Sequence, residues 1–178
     1  MEKQNGLSKN RNICELLAPA GSKEAFIAAV ESGADAVYAG GNLFNARINA
    51  HNFELSEIEE AVRFAHKRNV KVYITINVLI KDEELLGALE YAKNLYEIGV
   101  DAIIVQDIGF ANLVRKHLPG FELHMSTQAS VFDKDGVYQA MDLGFRRVVP
   151  ARELSLAEIE TLCKETPCEI EVFCHGAI

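Results

Sequence analysis

The segment Ile98-Gly-Val-Asp-Ala-Ile-Ile-Val-Gln-Asp107 compresses one unit of an α/β protein into ten residues. A long amphipathic run arrives at Gly99, the residue type that most readily takes the left-handed conformation closing a helix. Ala102 to Val105 are apolar, rich in β-branched side chains and free of polar alternation. That is the pattern of a strand buried on both faces, as in a parallel sheet covered by helices. Gln106 and Asp107 then make a polar tip before a new helical pattern.

The phrase recurs. Ser32-Gly-Ala-Asp-Ala-Val-Tyr-Ala-Gly-Gly41 repeats it closely, and Leu143-Gly-Phe-Arg-Arg-Val-Val-Pro-Ala-Arg152 repeats it with Arg146 and Arg147 in place of Asp and Ala. Three copies at long, uneven spacing do not make a solenoid. They suit successive βα units, each of on the order of 30 residues or more.

Working outward, the pattern predicts seven strands alternating with six helices. The strands are expected at 14–18, 35–39, 71–76, 102–105, 121–125, 146–149 and 169–174, with Pro19 ending the first. Ser22, Ser56 and Ser155 stand where helix N-caps belong, and Glu59 and Glu158 complete two capping-box patterns. Leu85, Leu86, Leu89, Ala92, Leu95 and Tyr96 form an apolar helical stripe. Strict alternation predicts a TIM-like (β/α)8 barrel, with an open doubly wound sheet as the rival. The count stops after the seventh strand. Residues 1–12 are expected to be a flexible leader, and 13–178 an incomplete barrel from a longer protein.

The net charge of −8 argues against a surface that grips nucleic acid non-specifically. The leader lacks a signal-peptide core, and no apolar run approaches the roughly 20 residues of a membrane span. A cytoplasmic protein is expected. Cys14, Cys163, Cys168 and Cys174 form no C-x-x-C pair, so idle thiols are the default and no metal ligand is assigned.

In a barrel, the loops after the strands build the site. The strand tips supply Ser22, Asn45, Arg47, Asn77, Gln106, Asp107, Ser126, Gln128 and Arg152 as candidate substrate-binding residues, with Glu153 and His175 as candidate catalytic ones. Each has a plainer alternative. Ser22 and Asp107 suit helix caps, Arg152 and Glu153 a surface ion pair, and His175 a structural histidine. Gly40-Gly41 is only a weak phosphate signal, and no nucleophile elbow or zinc motif is present.

Three stretches together resemble one family. Glu15-Leu-Leu-Ala-Pro-Ala-Gly-Ser22, Val149-Pro-Ala-Arg-Glu-Leu-Ser155 and Glu171-Val-Phe-Cys-His-Gly-Ala177 resemble the collagenase-like peptidases, peptidase family U32. Asp35-Ala-Val-Tyr-Ala-Gly-Gly41, Ile103-Ile-Val-Gln-Asp107 and His124-Met-Ser-Thr-Gln128 extend the likeness over nearly the whole chain after residue 12. The resemblance implies a TIM-like barrel followed by further segments. It also implies either peptidase activity or oxygen-independent hydroxylation, of tRNA or rRNA bases or in ubiquinone synthesis. Hydroxylation of RNA bases would use a small organic acid such as prephenate and an iron–sulfur cluster on cysteines beyond Ile178. Thiolate ligation of a cluster takes about four cysteines, so this segment is expected to bind substrate rather than to complete the catalyst. RNA hydroxylation is the favoured reading. A peptidase, or a non-catalytic binding subunit for a cluster-bearing partner, are the alternatives.

Overall fold

The computed structural model describes residues 14–46 and 52–175. The expected leader and Arg47 lie outside them. Seven parallel strands form one sheet in chain order: β1 Leu17–Ala20, β2 Ala36–Gly40, β3 Lys71–Ile76, β4 Ala102–Val105, β5 Glu122–Met125, β6 Arg147–Val148 and β7 Glu169–Ile170. Six helices alternate with them: α1 Lys23–Glu31, α2 Leu55–His66, α3 Leu85–Ile98, α4 Ile108–His117, α5 Lys134–Asp142 and α6 Leu156–Glu165. The strand order never reverses, so the topological switch point of a doubly wound sheet is absent. The sheet is a TIM-like barrel truncated after its seventh strand, and among the described residues β1 and β7 are its edges.

Alternation along the strands separates two apolar clusters. Val37, Ile74, Ile103, Val105, Leu123 and Val148 point outward and pack with Phe26, Val62, Leu95, Phe110 and Val137 of the helices. Fully burying a side chain such as Leu95 contributes about 1.5–3 kcal/mol. On the inner face Ala36, Tyr73, Ala102 and Ile104 form a smaller cluster.

The repeated phrase has a structural cause. Its glycines, Gly33, Gly99 and Gly144, take φ of 93°, 93° and 92°, the left-handed turn that ends a helix and starts a strand. Its aspartates tie that turn to the preceding strand: Asp35 accepts from the Leu16 backbone N–H at 2.8 Å, and Asp101 from that of Val72 at 2.7 Å. The residue after each aspartate is a fully buried alanine, Ala36 or Ala102. In the third copy these two positions are Arg146, paired with Glu169 at 3.0 Å, and Arg147, which puts a guanidinium inside the barrel.

Several expected boundaries move. β1 runs through Pro19 to Ala20, which an edge strand tolerates because one side of its backbone has no partner to satisfy. Helix α2 is capped at Glu54 with Glu57 rather than at Ser56 with Glu59. The Glu57 carboxylate accepts from the Glu54 backbone N–H at 2.9 Å. Phe53 and Ile58, flanking that first turn, are both buried, the arrangement of a hydrophobic staple. Glu59 pairs instead with Arg63. β7 covers only Glu169–Ile170, so Cys174 and His175 leave the sheet and lie in an exposed bend.

Candidate functional site

The carboxyl ends of the strands surround a cavity of about 400 Å³. Its walls come from different units, as a barrel requires. Tyr38 and Gly40 come from β2, Thr75 and Asn77 from the end of β3, and Ser126 and Gln128 from the turn after β5. Arg152 follows β6, and Glu171, Phe173 and His175 follow β7. The β2–α2 loop folds over one side. Asn45 Nδ2 donates to Asn52 Oδ1 at 2.8 Å, and Thr75 Oγ1 donates to Asn45 Oδ1 and to the Ala39 carbonyl at 3.3 Å each. Asn77 Oδ1 accepts from the Ala46 N–H at 3.1 Å. The other side is fixed by Ser126 Oγ, which accepts from the Gln128 N–H at 3.2 Å, and by Thr127 Oγ1, which donates to the Pro150 carbonyl at 3.0 Å.

The two glycines at the tip of β2 are spacers. A Cβ on Gly40 would overlap the Asn45 amide, and one on Gly41 would overlap the Tyr91 hydroxyl. The space above them is filled by side chains of this chain, so the weak phosphate signal has no cradle here.

An ionic network lies in the barrel interior below the cavity. Arg147, only 8% exposed, donates to Glu15 at 2.7 Å, to Glu169 at 2.8 and 3.1 Å, and to Glu171 at 3.4 Å. The Tyr73 hydroxyl donates to both Glu15 oxygens at 3.0 and 3.2 Å, and Lys71 stands 3.6 Å from the same carboxylate. His124, fully buried, meets the Tyr73 ring edge-on at 4.7 Å between centroids and reaches Glu122 at 2.9 Å. One guanidinium thus serves three carboxylates.

Their protonation follows from that imbalance. Burial works against the charged Glu15, but the Arg147 hydrogen bond and charge outweigh it and hold this carboxyl below the usual carboxylate range. Burial likewise opposes the charged Arg147, and its bonds to Glu15 and Glu169 more than compensate, raising it further. The hydrogen bond from His124 holds Glu122 low. Glu171 goes the other way: burial pushes its carboxyl up, against the pull of Arg147 and His124.

Of the residues expected from sequence, Asn45, Asn77, Ser126, Gln128, Arg152 and His175 line this one cavity. Ser22 caps α1, its Oγ accepting from the Ala25 N–H at 3.2 Å. Asp107 caps α4 by accepting from Phe110 N–H at 2.8 Å, and its second oxygen accepts from the Ile80 N–H at 3.1 Å. Gln106 is not in the lining, and its side chain donates to the Gln128 carbonyl at 3.4 Å. Glu153 faces an adjoining concavity of about 350 Å³ that shares Arg152 and Gln128 with the first and adds Phe132. Arg152 and Glu153 make no ion pair with each other.

Sequence reading missed Tyr38, Thr75, Glu171 and Phe173 in the lining, and the network behind Glu171. A signal existed: Glu169-Ile-Glu171 alternates charge and apolar on a strand, and Arg147 replaces the inward alanine of the other repeats. Among the described residues the four cysteines do not gather, and no three His, Cys, Asp or Glu side chains are grouped to hold a metal. The described residues therefore do not fit an iron–sulfur cluster by themselves.

The model of peptidase family U32 matches residues 21–178. The chain is 44% identical over 166 residues to the 23S rRNA 5-hydroxycytidine C2501 synthase of Escherichia coli, covering 92% of this chain and 24% of that protein. It is 42% identical to tRNA hydroxylation protein P1 of Bacillus subtilis, over 92% of this chain and 39% of the relative. With the collagenase of Porphyromonas gingivalis it shares 31% identity, over 95% of this chain and 43% of that one. The chain thus spans between a quarter and somewhat under half the length of these relatives. In fold it resembles a solved U32 peptidase, at a TM-score of 0.73 with 14% identity, over 94% of this chain and 71% of that one. It also resembles a putative copper homeostasis protein, CutC from Streptococcus agalactiae, at 0.69 with 18% identity, over 89% and 87%. With the family model matched across most of its length and a TIM-like barrel beneath it, the chain belongs to peptidase family U32.

Proposed function

We propose that this chain is the substrate-binding barrel of an RNA-base hydroxylation enzyme acting on tRNA or rRNA. The observation that carries the reading is the likeness to rRNA and tRNA hydroxylation proteins, which extends over 92% of the chain. The lining suits a small polar ligand. Amides and hydroxyls at Asn45, Asn77, Ser126 and Gln128 supply donors and acceptors, and Arg152 supplies a cation for the carboxylates of a small organic acid such as prephenate. His175 keeps its proposed catalytic role because it lines the cavity, and Glu153 acts from the adjoining concavity.

In this reading the redox chemistry of hydroxylation would belong to an iron–sulfur cluster that the described residues do not themselves hold. The residues of this barrel bind and orient the base. Action on RNA places the protein in the cytoplasm; no helix among the described residues is long and apolar enough to cross a membrane. The 31% identity to a collagenase supports a peptidase as the second reading. A protease works through an activated nucleophile with its base, or a metal-bound water. Among the described lining residues no such nucleophile–base pair is assembled.

The test is a strain lacking the gene, with rRNA and tRNA nucleosides read by mass spectrometry and gelatin digestion by the purified full-length protein read in parallel. Loss of a hydroxylated pyrimidine that returns with the wild-type gene, and no gelatin cleavage, is the expected result. Unchanged RNA with measurable gelatin cleavage overturns it. A modification lost only when a second protein is also absent points to the binding-subunit reading.

A further inference from the structure

Glu171 belongs to both the ionic network and the mouth cavity. It is the one carboxylate among the described lining residues, and its side chain is 19% exposed. Arg147 approaches it at 3.4 Å, its longest contact, because the guanidinium is already engaged by Glu15 at 2.7 Å and Glu169 at 2.8 Å. Lys71 pairs with Glu15, and His124 is held by Glu122. Of three carboxylates around one guanidinium, Glu171 is the least compensated.

A neutral carboxylic acid offers a donor and an acceptor side by side, whereas a carboxylate only accepts. Cytosine presents an acceptor beside a donor at N3 and N4, and uracil does so at O4 and N3. A neutral Glu171 matches either edge with two hydrogen bonds, while an ionised one would set like charge against the ring acceptor. Tyr38 and Phe173, the latter 48% exposed, line the same cavity and offer aromatic faces of the kind on which extruded bases stack. The cavity, about 400 Å³, lies in the range of small-ligand sites.

We propose that the mouth cavity takes a single unstacked base, its Watson–Crick edge read by the Glu171 carboxyl acting as donor and acceptor together, with Arg147 as the positioning residue behind it. This rests on the RNA reading above and adds the atom that recognises the base. The raised proton affinity that burial confers on Glu171 supports it. Other titratable groups face the carboxyl from every side: Arg147 on β6, His124 on β5, Glu15 ahead of β1, Glu169 on β7, and Arg152 and His175 in the cavity wall. The Glu171→Gln variant separates its titration from theirs, because a glutamine amide keeps one donor and one acceptor and cannot ionise.

The experiment uses the full-length natural protein and fluorescent oligo-U and oligo-C trinucleotides, titrated from mildly acidic to mildly alkaline pH. Wild-type affinity for oligo-U and oligo-C falls about tenfold per pH unit once Glu171 ionises, as linkage to one proton requires. Glu171→Gln binds with the wild-type low-pH affinity at every pH, and Glu171→Leu binds at least tenfold more weakly throughout. Wild-type affinity that does not change with pH, a Glu171→Gln variant that keeps the wild-type pH dependence, or a Glu171→Leu variant that binds as tightly as the wild type overturns the proposal. The wild-type titration stands even if a variant fails to fold. Nucleoside analysis of the deletion strain keeps the two readings apart. Hydroxylation lost on deletion but retained by Glu171→Leu removes this inference alone, while RNA unchanged by deletion removes the function on which it rests.

Discussion

Replacing Arg147 by alanine tests whether the interior network holds the barrel together. The side chain is 8% exposed and bonds three carboxylates from the two edges of the sheet: Glu15 before β1, and Glu169 and Glu171 on and after β7. Truncation leaves those carboxylates facing one another inside the barrel. Removing one partner of a buried ion pair costs about 3–5 kcal/mol. Glu15 and Glu169 keep 24% and 40% of their side-chain exposure, so water relieves part of the penalty, and the lower end, about 3 kcal/mol, is expected. For a domain of this size that lowers Tm by on the order of 10 °C. Thermal and urea unfolding followed by circular dichroism read it.

The effect has a pH signature. Glu15 has its folded pKa depressed, so its contribution is present above the ordinary carboxylate range and disappears as pH falls through the depressed value. Arg147→Ala removes the main cause of that depression. The gap between wild type and variant therefore narrows as the medium is made acidic. A loss below about 1 kcal/mol at neutral pH, the level of a surface pair, or a gap that widens in acid, refutes the reasoning.

Gly41→Ala forces a methyl group into the Tyr91 hydroxyl and should cost about 1–3 kcal/mol of overpacking. Tyr91→Phe removes that oxygen, which is buried without a hydrogen-bond partner among the described residues; alone it should be neutral or slightly stabilising. In the double variant most of the Gly41→Ala loss should return, and strictly additive urea midpoints would show that the two side chains do not compete. Asp107→Ala strips the cap of α4 and the anchor of the Ile80 N–H together, for an expected loss of about 2 kcal/mol. A change within a few tenths of a kcal/mol would return Asp107 to a role at the mouth. Ser22→Ala should cost about 1 kcal/mol through the α1 cap alone, with oligonucleotide binding unaltered.

The barrel was legible because some of its units repeat one local solution. A glycine at positive φ, an aspartate reaching the neighbouring backbone and a buried inward alanine recur at Gly33-Ala-Asp-Ala36 and Gly99-Val-Asp-Ala102. Those constraints act within a few residues, and periodicity reports them. Pairing distances across the barrel are not local, which is why Glu15 and Arg147, 132 positions apart, gave no sign of meeting. The mouth was half legible. Residues that end a strand announce themselves as polar tips, and Asn45, Asn77, Ser126, Gln128, Arg152 and His175, read that way, line the cavity. Residues that face inward within or beside a strand, such as Thr75 and Glu171, look like ordinary strand positions until the curl of the sheet is known. The caps Ser22 and Asp107 have one chemistry for two roles, and only the hydrogen bonds separate them.

The central claim is that an RNA base enters the mouth of this barrel. Photo-crosslinking states it most directly: the full-length protein is irradiated with target-strand RNA carrying 4-thiouridine, and the crosslinked peptides are mapped by mass spectrometry. Crosslinks at Tyr38, or within the segment holding Phe173 and His175, are predicted, and an excess of unlabelled RNA should suppress them. Crosslinks confined to the outer faces of the helices, with the mouth peptides unmodified, would contradict the account.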